Sequence, residues 1–240
     1  MATEFARDQA TDHLLTPKNA ALVVIDYQPS QVQTVASMDH ELLVDNIVSV
    51  ARLARTFDLP VVLSTVNVAN GQGPTIPELK AVLSDSVEID RTQINSWEND
   101  DFRHAVEATG RKKLIMTALW TEVCLAFPSL DAMRDGYEAY PVVDAVGGTS
   151  PEAHRAGLER MLQAGAQPIS WVSLACELQR DWAREETVAD VVDIVLTSGC
   201  SRLAKRSVSR TRFGGFDETA VSCGRYIIGL TYSPPLLRPR

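Results

Sequence analysis

The feature that most constrains this chain is the alternation of short runs of Val, Ile and Leu with stretches of helical periodicity. A run that is apolar at every position suits a strand covered on both faces, and a parallel sheet wrapped by crossover helices provides that cover. Residues 21–26 form such a run and end in a carboxylate, Asp26. Over residues 39–57, Leu43, Ile47, Val50, Ala54 and Phe57 recur at steps of four and three, which predicts a helix. Pro60 then opens a second strand over 61–66.

The same rhythm continues along the chain. Gly71, Gly73, Pro74 and Pro77 mark a loop, followed by a short helix around 78–83 and a strand-like run at 87–90. A helix over 98–109 is stopped by Gly110, a strand follows over 113–119, and a helix over 121–134 is closed by Gly136. Residues 140–146 read as the next strand, and Ser150-Pro151 starts a helix over 150–163 with a cap followed by proline at the first position. A strand over 168–174 and an amphipathic helix over 186–196 complete the pattern. The fold class is therefore α/β: a three-layer αβα arrangement around a doubly wound, mostly parallel, six-stranded sheet of the Rossmann-like kind.

At 240 residues the chain is long enough for one large core, and residues 1–200 are expected to form one domain. From about residue 201 the pattern fails, and the segment 201–240, rich in Arg, Ser and Gly, is assigned no domain. The formal charge of -8 conceals a division: residues 201–240 carry eight Lys or Arg against Asp217 and Glu218, so the acidic excess lies in the body. A body of that sign argues against nucleic acid as a partner. Cys124, Cys176, Cys200 and Cys223 show neither CxxC nor Cys/His cluster spacing, so a reduced, cytoplasmic setting is expected. No apolar run approaches the length of a membrane helix, and none is expected.

In an open parallel sheet, ligands sit outside the carboxyl ends of the strands. Three features fall there: Asp26 after the first strand, Arg91 after the run at 87–90, and Cys124 just past 113–119. Thr121-Glu122-Val123-Cys124 places the thiol in the first turn of a helix, where unpaired N–H groups favour a thiolate. The plain alternative is a small buried apolar residue. Cys176, next to a predicted strand end, is expected in the core, and Cys200 and Cys223 have no visible site.

Taken together, the run Ala21 to Gln28, Thr121 to Cys124, Asp135-Gly136-Tyr137 and Val143-Asp144-Ala145 resemble the isochorismatase-like cysteine hydrolase superfamily. Gln93 to Glu98 and Met161 to Gln167 are similar to its YcaC-type branch. The resemblance runs from about Thr16 to about Leu196 and leaves the tail unmatched. It implies the isochorismatase-like hydrolase fold and a catalytic triad, with Cys124 at the nucleophile's place and Asp26 at that of the general base and acid. The third place, Lys in most of the superfamily, falls on Arg91, with Asp90 as a rival because the local register before Asn95 differs by one residue. The resemblance also implies a cis peptide at Leu119-Trp120 and an oxyanion hole made by the backbone N–H groups of Trp120 and Cys124.

The chemistry of such a trio is coherent. A thiol attacks as thiolate, a neighbouring Asp can take its proton and return it to a leaving amine, and a fixed cation keeps the two anions from repelling each other. Arg can hold charge permanently but cannot donate a proton. Lys112 and Lys113, the nearest lysines, are expected to be exposed at the start of a strand. The resemblance implies that a metal, where nicotinamidases of the superfamily hold one with an Asp and two His, would sit on the loop after the second strand, but residues 67–77 contain neither residue type, and His13, His40, His104 and His154 are scattered and expected on helix surfaces. No metal or other cofactor is therefore expected. Gln28, Asn95, Trp97, Leu119 and Thr121 are candidates for lining the pocket, with core contact as the plainer role for Trp97. Glu122 suits a helix start or a subunit contact rather than catalysis.

The sequence thus points to a cytoplasmic, homo-oligomeric hydrolase that acts on a small-molecule C–N (amide-type) substrate through an acyl-enzyme on Cys124. The rival from another class is a non-catalytic oligomeric binding or scaffold protein on the same fold. A weaker third reading makes His154 the base for Cys124.

Overall fold

A computed structural model describes residues 5–198 of the chain. Cys200, Cys223 and the basic segment 201–240 lie outside the described residues. Five strands, β1 (Ala20–Ile25), β2 (Val61–Val66), β3 (Glu88–Arg91), β4 (Lys113–Ala118) and β5 (Glu138–Pro141), form one sheet in the order β3-β2-β1-β4-β5. Every pairing is parallel, with Leu22 beside Val61 on one flank of β1 and beside Ile115 on the other. Among the described residues the sheet has five strands, not six, and the doubly wound α/β class stands.

The apolar runs work as their composition predicts. β1 is buried along its whole length. Its alternate residues feed opposite cores: Ala20, Leu22 and Val24 face one, and Ala21, Val23 and Ile25 the other. The first core is closed by α2 (His40–Thr56), α3 (Pro77–Val82), α7 (Trp171–Gln179) and α8 (Glu185–Thr197). The second is closed by α4 (Asp100–Ala108), α5 (Ala126–Arg134) and α6 (Pro151–Gln163). A short α1 (Pro29–Gln33) follows β1.

Helix boundaries follow the caps. The Asp39 carboxylate accepts from the Leu42 N–H, and the Ser150 hydroxyl accepts from the Ala153 N–H with Pro151 in the first turn. The missing sixth strand has a similar cause. Residues 168–174 contribute only an isolated bridge between Ile169 and Val142 before Ser170 caps α7 through the Ser173 N–H. Trp171, Leu174, Ala175 and Leu178, at helical steps, are the buried face of that helix. The fifth strand is also shorter than 140–146, because the chain turns at Val143-Asp144 to deliver the Asp144 carboxylate to the Trp171 N–H at 2.9 Å. Cys176, expected in the core, lies on α7 and is exposed. Lys113, expected at the surface, is buried, with its ammonium on the carbonyls of Asp12 and His13. Among the described residues no helix is long and apolar enough to cross a membrane.

Candidate active site

The strand order runs outward from β1 through β2 to β3, then returns to β4 on the opposite flank of β1. The carboxyl ends of β1 and β4 are thus the switch point where a ligand crevice opens in this architecture. Asp26 directly follows β1, Arg91 ends β3, and Cys124 sits six residues past the end of β4.

Asp26 is buried and adopts a left-handed backbone, with φ of 61°, which a short polar side chain tolerates better than most. Its N–H donates to the Ser64 carbonyl at 2.9 Å, and its own carbonyl accepts from the Gln28 N–H at 2.8 Å. From β3, Arg91 must reach across β2, a lateral distance of about 9–10 Å for two strand spacings. Its guanidinium spans that gap and grips both Asp26 carboxylate oxygens, at 3.0 and 2.8 Å, while donating to the carbonyls of Thr65 and Ile94. Both side chains are fully shielded from water. Asp90, the rival for this place, is exposed, and its carboxylate accepts from the Thr65 hydroxyl and the Val68 N–H.

Cys124 lies in a π-helical turn, Thr121–Leu125, that leads into α5. The thiol hydrogen-bonds the Asp26 carboxylate, and the backbone amide of Trp120 hydrogen-bonds the sulfur. The Leu119-Trp120 peptide bond is cis. Burial above all, then the Asp26 charge and hydrogen bond, push the Cys124 pKa up to about 12, against the opposing pull of Arg91 and the Trp120 amide. Burial likewise raises the proton affinity of Asp26 above the ordinary carboxylate range, outweighing Arg91.

The candidate pocket residues fall into different places. Leu119 is fully buried in the sheet core. The Gln28 amide is spent on the Val66 and Gly73 carbonyls and the Val66 N–H, clasping the loop after β2. Asn95 caps a short turn through the Trp97 N–H and donates to Asp131 at 2.7 Å. Trp97 is buried edge-on against Phe102 and Tyr137, with its indole N–H on Asp135. Trp120 is half-buried and hydrogen-bonds the Gln31 carbonyl and the Thr34 hydroxyl.

Thr121 is fully buried, and its hydroxyl meets Nδ1 of His154 at 2.8 Å. His154 is therefore half-buried against the turn that bears Cys124 rather than on an open helix surface, and its Nδ1 is committed to Thr121. Glu122 accepts from the N–H and hydroxyl of Thr149. Among the described residues no three His, Cys, Asp or Glu side chains are placed to hold a metal ion.

With that geometry in hand, the comparisons are decisive on kinship. The Isochorismatase domain family model matches residues 20–173. The chain belongs to the isochorismatase family. Within it, the chain is 38% identical over 172 residues to the probable hydrolase YcaC of Escherichia coli K12, covering 71% of this chain and 83% of that protein. The crystal structure of the E. coli YcaC gene product, described as an octameric hydrolase of unknown specificity, superposes with a TM-score of 0.75 at 34% identity, over 83% of this chain and 98% of that one. YcaC from Pseudomonas aeruginosa, solved with hexane-2,5-diol and covalent acrylamide, gives 0.76 at 34% identity over 84% of this chain and 99% of that one. The YcaC-type branch of the family is thus where this chain lies.

Proposed function

We propose that this isochorismatase-family chain is a cysteine-dependent hydrolase of a small C–N (amide-type) substrate, working through a covalent acyl-enzyme on Cys124. The observation that carries the reading is the thiol of Cys124 hydrogen-bonded to the Asp26 carboxylate, whose two oxygens Arg91 holds at 3.0 and 2.8 Å. A thiol with a pKa of about 12 is protonated at neutral pH, so attack is coupled to proton transfer. Sγ bonds to the carbonyl carbon as its proton passes to Asp26, whose buried carboxylate has the raised affinity that step needs. The oxyanion is taken by the N–H groups of Trp120 and Cys124. The C–N bond then breaks, and Asp26 returns the proton to the departing amine. Water, deprotonated by Asp26, attacks the thioester, and the acid leaves as the proton returns to Cys124. Arg91 transfers no proton and acts by fixing the carboxylate and balancing its charge.

The kinship supports this reading, since the E. coli relative is described as a hydrolase and the P. aeruginosa relative was solved with covalent acrylamide. The octameric state of the E. coli protein, whose chain is matched almost throughout, supports a homo-oligomer here, and its bacterial source fits a cytoplasmic setting. The test is a screen of small neutral amides with wild type and Cys124→Ala, together with intact-mass detection of an adduct. Turnover lost in Cys124→Ala, with an acyl mass trapped on Cys124, is expected. Equal turnover by the two proteins overturns the proposal, and a thiol no more reactive than free cysteine favours the scaffold reading.

A further inference from the structure

Behind the nucleophile turn lies a polar cluster that the proposed chemistry leaves unused. α6 approaches this turn very closely: a Cβ on Gly157 would stand 2.8 Å from the Glu122 Cα and 3.1 Å from the Thr121 carbonyl carbon. On the preceding loop, a Cβ on Gly148 would stand 2.6 Å from Oε2 of Glu122 and 2.8 Å from the backbone nitrogen of His154. No larger residue fits either place, so the first turns of α6 are seated directly on the segment that bears Cys124. Within this contact the Thr121 N–H donates to the Gly147 carbonyl at 2.9 Å, and the Thr121 hydroxyl meets His154 Nδ1 at 2.8 Å. One carboxylate oxygen of Glu122, Oε2, is buried without a hydrogen-bond partner among the described residues.

We propose that His154 is a positioning residue: through Thr121 it fixes the turn that presents the Trp120 and Cys124 amides and the thiol, and protonation of its ring reverses the hydrogen bond to Thr121, so that the hydroxyl must turn its own proton elsewhere and the turn loosens. The proposal rests on Cys124 being the nucleophile. Thr121 directly follows Trp120 and lies one helical turn before Cys124, so displacing its hydroxyl shifts both ends of the oxyanion site. A neutral imidazole can accept the Thr121 hydroxyl proton at Nδ1, whereas a protonated one can only donate. Burial lowers the His154 pKa from the ordinary 6.5, with Glu122 opposing, so the neutral form dominates at neutral pH and the change falls on the acid side. Glu122 is the charged group that faces the ring from the nucleophile turn. The loop over 147–150 brings no charge, and on α5 Asp131 and Arg134 lie toward the far half of α6, beside Arg160.

The test is the rate at which Cys124 in the full chain takes acrylamide between about pH 5 and 9, read by mass. Below pH 6.5 wild type should lose rate more steeply than Asp26 protonation alone produces. His154→Ala should slow the reaction about tenfold at neutral pH, as a misplaced reactive group does. His154→Asn, which keeps a polar atom near the Nδ1 position, should restore most of that rate and leave only the acid-side fall that Asp26 imposes. Thr121→Val should match His154→Ala, and the double variant should lose no more than either. Wild-type rates in His154→Ala, an acid-side fall in His154→Asn as steep as that of wild type, or additive losses would overturn the proposal. If wild-type Cys124 takes no acrylamide, the nucleophile reading fails, and deuterium exchange of the peptide over 119–125 decides this one alone. Faster exchange in His154→Ala, and on acidification in wild type but not in His154→Asn, upholds the link. Equal exchange in all three defeats it.

Discussion

The two central strands, β1 and β4, hold buried charge at both of their ends, and the ends treat it differently. At the amino end, Lys113 donates to the carbonyls of Asp12 and His13 at 2.9 and 2.6 Å. Asp12 accepts from Arg7 and the Leu14 N–H and pairs with Arg180, while the Asn19 amide holds the Asp12 and Leu14 carbonyls. None of Asp12, Asn19 or Lys113 leaves a buried side-chain polar atom unpartnered. At the carboxyl end, Asp26 sits in a left-handed conformation, Nε of Arg91 is buried with no partner, and a thiol is held next to a carboxylate. A fully satisfied polar network specifies structure, and an incompletely satisfied one whose acid and thiol both have raised proton affinities is the kind that exchanges protons.

The sharpest way to break this contrast is to neutralise one carboxylate at each end. Asp26→Asn removes the proton acceptor, so acrylamide addition to Cys124 should slow by about 10²–10⁴-fold. Asp12→Asn should leave that rate at the wild-type value, although it loosens the clasp at the other end. Equal rates in the two variants would mean that Asp26 is merely another structural carboxylate.

Removing a cation comes next in size. Arg91→Met strands a buried carboxylate without its partner, a change worth about 3–5 kcal/mol of stability, to be read from urea unfolding of the full chain. Arg91→Lys keeps a charge but loses the paired grip on both oxygens, so it should recover part of the stability and only part of the Cys124 reactivity. At the amino end, Lys113→Met leaves two carbonyls without their donor and should cost about 1–3 kcal/mol. Its Cys124 chemistry should be intact.

What the sequence disclosed follows the same division between local and distant causes. The helix at His40–Thr56 was legible because the spacing of Leu43, Ile47, Val50 and Ala54 acts within a few turns of the chain. That Asp26, Arg91 and Cys124 come together was legible because all three fall at strand ends, which this architecture gathers at one edge of the sheet, and because motifs along the body carried the family likeness. The expected strand over 168–174 failed because Ile169, Trp171, Val172 and Leu174 look strand-like locally. The buried helical face shows only when Ala175 and Leu178 are read with Trp171 and Leu174, and the cap only when Ser170 is paired with Ser173. Lys113 and His154 were misplaced for a different reason. Each is buried by a segment far along the chain, Asp12 and His13 in one case and Thr121 in the other, and no local pattern announces such a partner.

The smallest predicted effect is a difference of sign between the two carboxylates as pH changes. At Asp26 burial is the largest influence and raises the pKa above 3.8, despite Arg91. At Asp12 burial also pushes upward, but the Leu14 N–H and the Arg7 and Arg180 guanidinium groups outweigh it and leave the carboxyl below 3.8. The folded chain therefore binds a proton at Asp26 more readily than the unfolded chain, and at Asp12 less readily. By linkage, the Asp12 contribution is fully present above 3.8 and is lost as pH falls through its lower folded value, whereas that of Asp26 is present at low pH and lost as pH rises from 3.8 through its higher folded value. Urea midpoints for wild type, Asp12→Asn and Asp26→Asn across that range separate the two. The gap between wild type and Asp12→Asn should widen as pH rises, and the gap between wild type and Asp26→Asn should move the opposite way. Gaps that move together would mean that Arg91 holds its carboxylate as firmly ionised as Arg7 and Arg180 hold theirs. The carboxyl end would then be a second structural clasp rather than a site built to exchange protons.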